Sequence, residues 1–335
     1  MKKRVLTLLL TGIMAVSTTG VSSFAAETET ETATEAASEA DEDYGEVVIE
    51  DGDRTITFTE MPKGILCLYS GEVLMKLGLK DYIVATNENN KGRKSPLEGV
   101  ADDFEGIPEL EKSQENAVAS GADLIIGEIS AFKDTNWGTF ESLEDKGINC
   151  YALNGTVVAD ETMDSIYQDI ENMGKIFKVE EKAEGSSEDT KAQISEIQDA
   201  VKDVKEEDKV KAFVMDSLSG NEIYTTSAGL ESNLIELAGG INTTKGMSDS
   251  RWFTTSVETL VTANPDGINV VDYCVEGQVQ ENMDFITNNA ALADVPAVKN
   301  QNYVVVPLAY VMHDLSAVVA CQDFAEAFYP DCFTE

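Results

Sequence analysis

Histidine is nearly absent: His313 is the only one in 335 residues. No Ser-His-Asp order, P-loop, HExxH or GxGxxG accompanies it, so the common catalytic residue sets are missing. The 62 carboxylates single out no acid pair of the glycosidase kind. A dedicated zinc or manganese site draws on several imidazoles or thiolates, which argues against a protein metal centre. Basic residues are scarce as well. Lys and Arg total 24 against 62 Asp and Glu, a net charge of −38, and such a chain repels nucleic acid and anionic membrane surfaces. The five cysteines, Cys67, Cys150, Cys274, Cys321 and Cys332, are too few and too scattered for a disulfide framework, and their odd number leaves at least one thiol unpaired. Cys67 and Cys150 fall in apolar, strand-like runs, where a buried thiol is expected.

Long apolar runs are missing too. Residues 5–16 are mostly apolar but too short for a membrane span. They follow Met1-Lys2-Lys3-Arg4 and precede the small-x-small triplet Ser23-Phe24-Ala25, which predicts a signal peptide over 1–25 and export. The first cysteine is Cys67, so no lipid anchor on the mature N-terminus is expected. Residues 27–46 hold nine carboxylates and no basic residue, which predicts a disordered acidic leader over 26–50.

The rest of the chain alternates strand and helix signals. "TITFTEMP" (55–62) reads as an edge strand, and "GILCLY" (64–69) as a buried parallel strand. Ser70 stands where it can cap a helix carrying Val73, Leu74 and Leu77 at helical spacing. "YIVATN", "DLIIGE" and "INCYAL" supply further strands with short helices between them, which argues for an N-terminal α/β lobe over 51–160. Residues 162–205 have helical periodicity and no strand signal, weakened only at Gly174 and Gly185-Ser186-Ser187. They predict one long or once-broken connecting helix over 161–206. A C-terminal lobe over 207–335 repeats the plan with "KAFVMD", "GINVVD" and "NYVVVP". The fold class expected is α/β, with two lobes of mainly parallel central sheets flanked by helices and joined by one long α-helix.

An internal duplication supports two equivalent lobes. "SQENAVASGADLII" (113–126) and "SVETLVTANPDGIN" (256–269) share S-x-E-x-x-V-x-x-x-x-D-x-I. Each predicts a serine-capped helix with a first-turn carboxylate, Glu115 or Glu258, followed by a strand.

In order and spacing, "MPKGILCLYSGEVLMKLGLKDYIVA", "ENAVASGADLII", "MGKIFKVEEKAE", "LIELAGGIN" and "WFTTSVETLVTANPDGINVV" resemble a class III substrate-binding protein of an ABC importer. That group serves corrinoids, haem and ferric siderophores, and the resemblance runs from about residue 60 to 330. It implies ligand held between two lobes bridged by a rigid helix. It also implies a permease partner, into whose arginine pockets Glu115 and Glu258 would dock, and no enzymatic activity. Trp252 stands where corrinoid binders of the family carry a cleft tryptophan, whereas the N-lobe equivalent near Glu109 and Leu110 has none.

In parallel sheets ligands sit outside the carboxyl ends of the strands. Those ends supply Ser70, Asn87, Lys91, Arg93, Glu128, Tyr273, Tyr310 and His313 as candidate ligand contacts, together with Arg251, Trp252 and Phe253. Lys91, Arg93 and Arg251 form the arrangement expected to clamp an anionic chelate, and Tyr310, Met312 or His313 could reach a haem iron. The expectation is therefore an exported monomeric receptor with no intrinsic cofactor and no metal site of its own. Its ligand would be a chelate of iron or cobalt, first a ferric siderophore, with corrinoid or haem as alternatives. A secreted adhesion module without a small-molecule ligand is the reading from another class.

Overall fold

A computed structural model of the chain describes residues 44–87 and 95–334. The expected signal peptide, most of the leader, and Lys91 and Arg93 lie outside the described residues. The folded part begins earlier than the leader boundary at residue 50 implies. The Tyr44 hydroxyl donates to the Ile176 carbonyl at 2.7 Å, and β1 (Val47–Asp51) pairs antiparallel with β2 (Arg54–Phe58). Alternation explains it: Val47, Ile49, Ile56 and Phe58 turn inward while their neighbours face water.

The N-terminal lobe is built on β3 (Ile65–Cys67), β4 (Ile83–Asn87), β5 (Glu109–Leu110), β6 (Leu124–Gly127) and β7 (Asn149–Ala152). They form one parallel sheet in the order β5-β4-β3-β6-β7. The strands read as continuous apolar runs because both faces are covered: Ile65 and Cys67 pack into one core, Leu66 into the other.

The C-terminal lobe contains β8 (Lys211–Met215), β9 (Ser217–Ser219), β10 (Glu222–Thr226), β11 (Ile241–Asn242), β12 (Trp252–Ser256), β13 (Gly267–Asp272) and β14 (Tyr303–Pro307). Its central sheet is parallel in the order β11-β8-β13-β14. The sequence around Arg251 reads as a loop, but β12 is a strand in a second, antiparallel sheet ordered β12-β10-β9. In each central sheet the strand order reverses beside the first strand, at β3/β6 and at β8/β13. That switch point is where an open α/β sheet leaves a crevice.

The connecting segment is the once-broken form, with helices Met163–Ile176 and Glu180–Val201. The break falls at Lys178, whose φ of 53° is left-handed, and not at Gly185-Ser186-Ser187, which lies inside the second helix. The two helices pack side by side. A Cβ on Gly174 would stand 2.5 Å from that of Ala183, so this close approach requires glycine. The second helix, 22 residues and so about 33 Å long, is the bridge. Lys182 near its start donates to the Leu77 carbonyl of the N-lobe, and Val201 at its end packs beside Gly239 of the C-lobe.

Two carboxylates also fasten the lobes to each other. Ser70 does not cap the helix Gly71–Lys76. It adopts a left-handed conformation and gives its hydroxyl to the His313 carbonyl at 3.1 Å. Asp314 of the other lobe takes the capping position, accepting from the Glu72 and Val73 amides at 3.0 Å each. Glu72 returns the bond, accepting from the Ser316 amide, next to the helix Ala317–Phe328, at 2.6 Å. Each lobe thus supplies the acid that satisfies the other's orphan amides.

Candidate functional site

The carboxyl ends of the strands at both switch points face one cleft of about 380 Å³. Tyr69 follows β3 and Glu128 follows β6. From the other lobe Asp216 follows β8 and Tyr273 follows β13. The short antiparallel sheet adds a side wall: Tyr224 on β10 and Trp252 on β12 stack with ring centroids 5.8 Å apart. Their pairing is a consequence of register, since Thr226 lies opposite Trp252 and Tyr224 opposite Thr254. Leu308, Val311, Met312 and His313, after β14, complete the lining.

The deepest part is a chain of charges. Glu161, almost fully buried, accepts from Arg251 Nη1 at 2.9 Å and contacts His313 Nδ1 with its other oxygen. Arg251 Nη2 donates to the carbonyls of Gly155 and Val158, at 2.9 Å each. The side chain runs so close to Gly229, itself at φ 91°, that a Cβ there would lie 2.7 Å from Arg251 Cδ. His313 Nε2 faces Glu128 at 3.9 Å. Burial would push the imidazole down, but Glu161 and Glu128 beside it hold its pKa above the ordinary value. Burial raises the Glu128 carboxyl, against the pull of His313. Burial also raises Asp216, partly offset by the Tyr273 hydroxyl, which donates to both its oxygens at 3.0 and 2.8 Å. Behind Asp216, Glu231 is fully buried without a hydrogen-bond partner and is pushed up to about 8.

Of the candidate residues, Arg251, Trp252, Glu128, Tyr273 and His313 meet at this cleft. Ser70 lies behind it, against the His313 backbone. Asn87, Phe253 and Tyr310 are not part of its lining; Asn87 is buried at the end of β4, and Phe253 and Tyr310 are half-buried beside lining residues. Several lining residues escaped the sequence reading, among them Asp216, Tyr224 and Glu161. Asp216 was within reach of the strand-end rule, as the last letter of "KAFVMD". Tyr224 sits in what reads as a loop, and Glu161 in a connector with no pattern of its own. Among the described residues no group of three or more His, Cys, Asp or Glu stands where it could hold a metal ion.

Glu115 and Glu258 do not line this cleft. Both are exposed in the first turn of their helices, and the matched Val118 and Val261, one turn on, are exposed too.

Two parallel-sheet lobes, a bridging helix and a cleft at the paired switch points define a two-lobed solute-binding protein. The chain belongs to the periplasmic binding protein family, whose model matches residues 68–309; members are solute-binding proteins, not enzymes. It is similar to YvrC of Bacillus subtilis, an uncharacterized ABC transporter substrate-binding lipoprotein, with 24% identity over 294 residues, 86% of this chain and 87% of that one. A periplasmic binding protein from Veillonella parvula superposes with a TM-score of 0.76 at 22% identity, covering 84% of this chain and 98% of its own. The ABC-type Fe3+-hydroxamate transport system protein from Saccharomonospora viridis gives 0.70 at 20% identity, covering 84% and 98%.

Proposed function

We propose that the protein is an extracytoplasmic receptor that binds an iron chelate in the cleft and delivers it to an ABC importer permease. The observation that carries this reading is the cleft itself, an aromatic-walled space between two rigid lobes at the carboxyl ends of both sheets. The Saccharomonospora viridis protein of similar fold, an ABC-type Fe3+-hydroxamate transport system, favours an iron complex. Haem fits less well, because both nitrogens of His313 face carboxylates and Arg251 is occupied. A corrinoid is the second reading, favoured by the Tyr224–Trp252 ring pair as a platform for a flat macrocycle.

The same reading assigns Glu115 and Glu258 to permease docking. Each lobe presents an exposed carboxylate with an exposed valine beside it, a matched pair suited to a symmetric basic partner. The name of the Bacillus relative includes an anchor, which does not match the expectation of an anchor-free N-terminus; the residues concerned lie outside those described.

Titration with ferric siderophores, haem and corrinoids tests the reading, with quenching of Trp252 fluorescence as the signal. A receptor saturates with one of them, and an adhesion module leaves the emission flat. In reconstituted vesicles, Glu115→Lys and Glu258→Lys should each reduce uptake, and the pair should reduce it further, while ligand affinity of the free protein holds. Normal uptake by the double variant refutes docking.

A further inference from the structure

The charges lining the cleft do not balance. Three carboxyls, Glu128, Glu161 and Asp216, stand against two basic groups, Arg251 and His313. Both basic groups are engaged: Arg251 by Glu161 and the carbonyls of Gly155 and Val158, His313 by Glu161 and Glu128. Among the described lining residues there is no lysine and no second arginine. With every group ionised, one negative charge is left over, and it belongs to the Glu128 and Asp216 side, since Glu161 is closed off by its two partners. Aromatic rings line the same space: Tyr69, Tyr224, Trp252 and Tyr273. Ring faces are negative in their quadrupole and attract cations. The arginine expected to clamp an anion is thus a strut that binds the segment around Gly155 to β12, with three of its five donors engaged there.

We infer that the chelate taken by this cleft carries a cationic group, received by the Glu128 and Asp216 carboxylates and the faces of the Tyr224–Trp252 ring pair. This rests on the receptor reading above and narrows it to one charge class. The whole molecule acts in the same direction, because a net charge of −38 draws cations toward the surface and repels anionic complexes. Burial holds Glu128 and Asp216 above the usual carboxylate range, against the pull of His313 on the first and of the Tyr273 hydroxyl on the second. A cation beside them favours their charged forms.

The test uses three ferric complexes: a linear trihydroxamate bearing a free protonated amine, its N-acetylated neutral form, and a tris-catecholate trianion. Tryptophan fluorescence gives affinities. The cationic complex should bind roughly tenfold more tightly than the neutral one at low salt. The gap should shrink at high salt, and the trianion should bind least. Glu128→Gln and Asp216→Asn should each weaken binding of the cationic complex more than that of the neutral one, which narrows the gap. Equal affinity for cation and neutral form, or a trianion that binds as tightly as the cation, overturns the charge assignment and leaves the receptor reading standing. Failure of all three to bind overturns the receptor reading, and this inference with it.

Discussion

The duplicated phrase folds alike at its far end in both lobes and differently at its near end. At the far end, Asp123 accepts from the Lys63 and Gly64 amides at 2.9–3.0 Å, tying β6 to the start of β3. Asp266 accepts from the Lys211 amide at 3.1 Å, tying β13 to the start of β8. The two aspartates do the same work at equivalent places. At the near end, Ser113 caps its helix, accepting from the Asn116 amide at 3.1 Å. Ser256 makes no such cap; its hydroxyl goes to the Glu258 side chain and holds that carboxyl below its usual pKa. The cause is what precedes each serine. Ser113 follows a two-residue edge strand, whereas Ser256 is the last residue of β12, held in register opposite Glu222. β12 is the element that carries Trp252 into the cleft and starts beside Arg251. The core-facing half of the repeat is thus common to both lobes, and the half that leads to the cleft has been rebuilt in one of them.

The largest effects should come from the crossed caps that join the lobes, which are also unequal. Asp314 accepts from three buried amides, Glu72, Val73 and Leu315, and Glu72 from one. Asp314→Ala should cost about 3–5 kcal/mol in urea unfolding, and Glu72→Ala about 1–2. Equal losses would mean that the two lobes contribute evenly to the joint.

Buried acids sharpen the same contrast. In the N-terminal half Asp169, raised by burial to about 7, accepts from the Tyr151 hydroxyl and the Asn154 amide. In the C-terminal lobe Glu231, raised to about 8, has no such donor. An acid whose folded pKa is raised binds more protons folded than unfolded between the two values. Stability therefore falls as pH rises from the ordinary glutamate range through about 8. Glu231→Gln should raise stability by about 1–3 kcal/mol at pH 8 and hardly change it at pH 5, as followed by thermal unfolding. A variant without pH dependence in its effect would show that Glu231 is charged when folded.

The two tryptophans divide between lobes in the same way. Trp137 is buried in the N-lobe core, and Trp252 lines the cleft. Trp252→Ala should weaken ligand binding by roughly 1–3 kcal/mol with little loss of stability. Trp137→Phe should do the reverse, lowering the melting temperature while the dissociation constant holds. If Trp252→Ala lowers only the melting temperature, the ring is core.

Much of this architecture was legible in the sequence, because apolar runs such as "GILCLY" and "GINVVD" report strands covered on both faces, and the duplication reports two lobes. The expected ends of those strands also brought Glu128, Tyr273 and His313 to the cleft. What stayed hidden has one physical character: it depends on contacts across large sequence separation. Ser70 has the composition of a cap, but Asp314, 244 residues on, takes the place. The turn at Lys178 relies on a left-handed residue that is not glycine, so no composition signal marks it, whereas Gly185 sits quietly on an open helix face. Arg251 reads as a free cation, and its three acceptors lie 90 to 96 residues away.

The smallest expected effect is the most direct test of the near-end difference. Removing the Ser113 hydroxyl leaves the Asn116 amide without its acceptor at a helix start, a loss of about 1 kcal/mol in the usual range for an N-cap. Removing the Ser256 hydroxyl leaves no helix amide unsatisfied, because none is bonded to it. Backbone pairing of β12 holds that residue in place regardless. Ser113→Ala should therefore lower unfolding free energy by about 1 kcal/mol and Ser256→Ala by about 0.3 or less. The second variant has a separate signature: the Glu258 carboxyl should titrate at a higher pH once the hydroxyl that stabilises its charged form is gone. Chemical-shift titration of the glutamate reads this directly. Equal destabilisation by the two alanines, with no shift at Glu258, would return both serines to the single role of helix cap and leave the repeat symmetric from end to end.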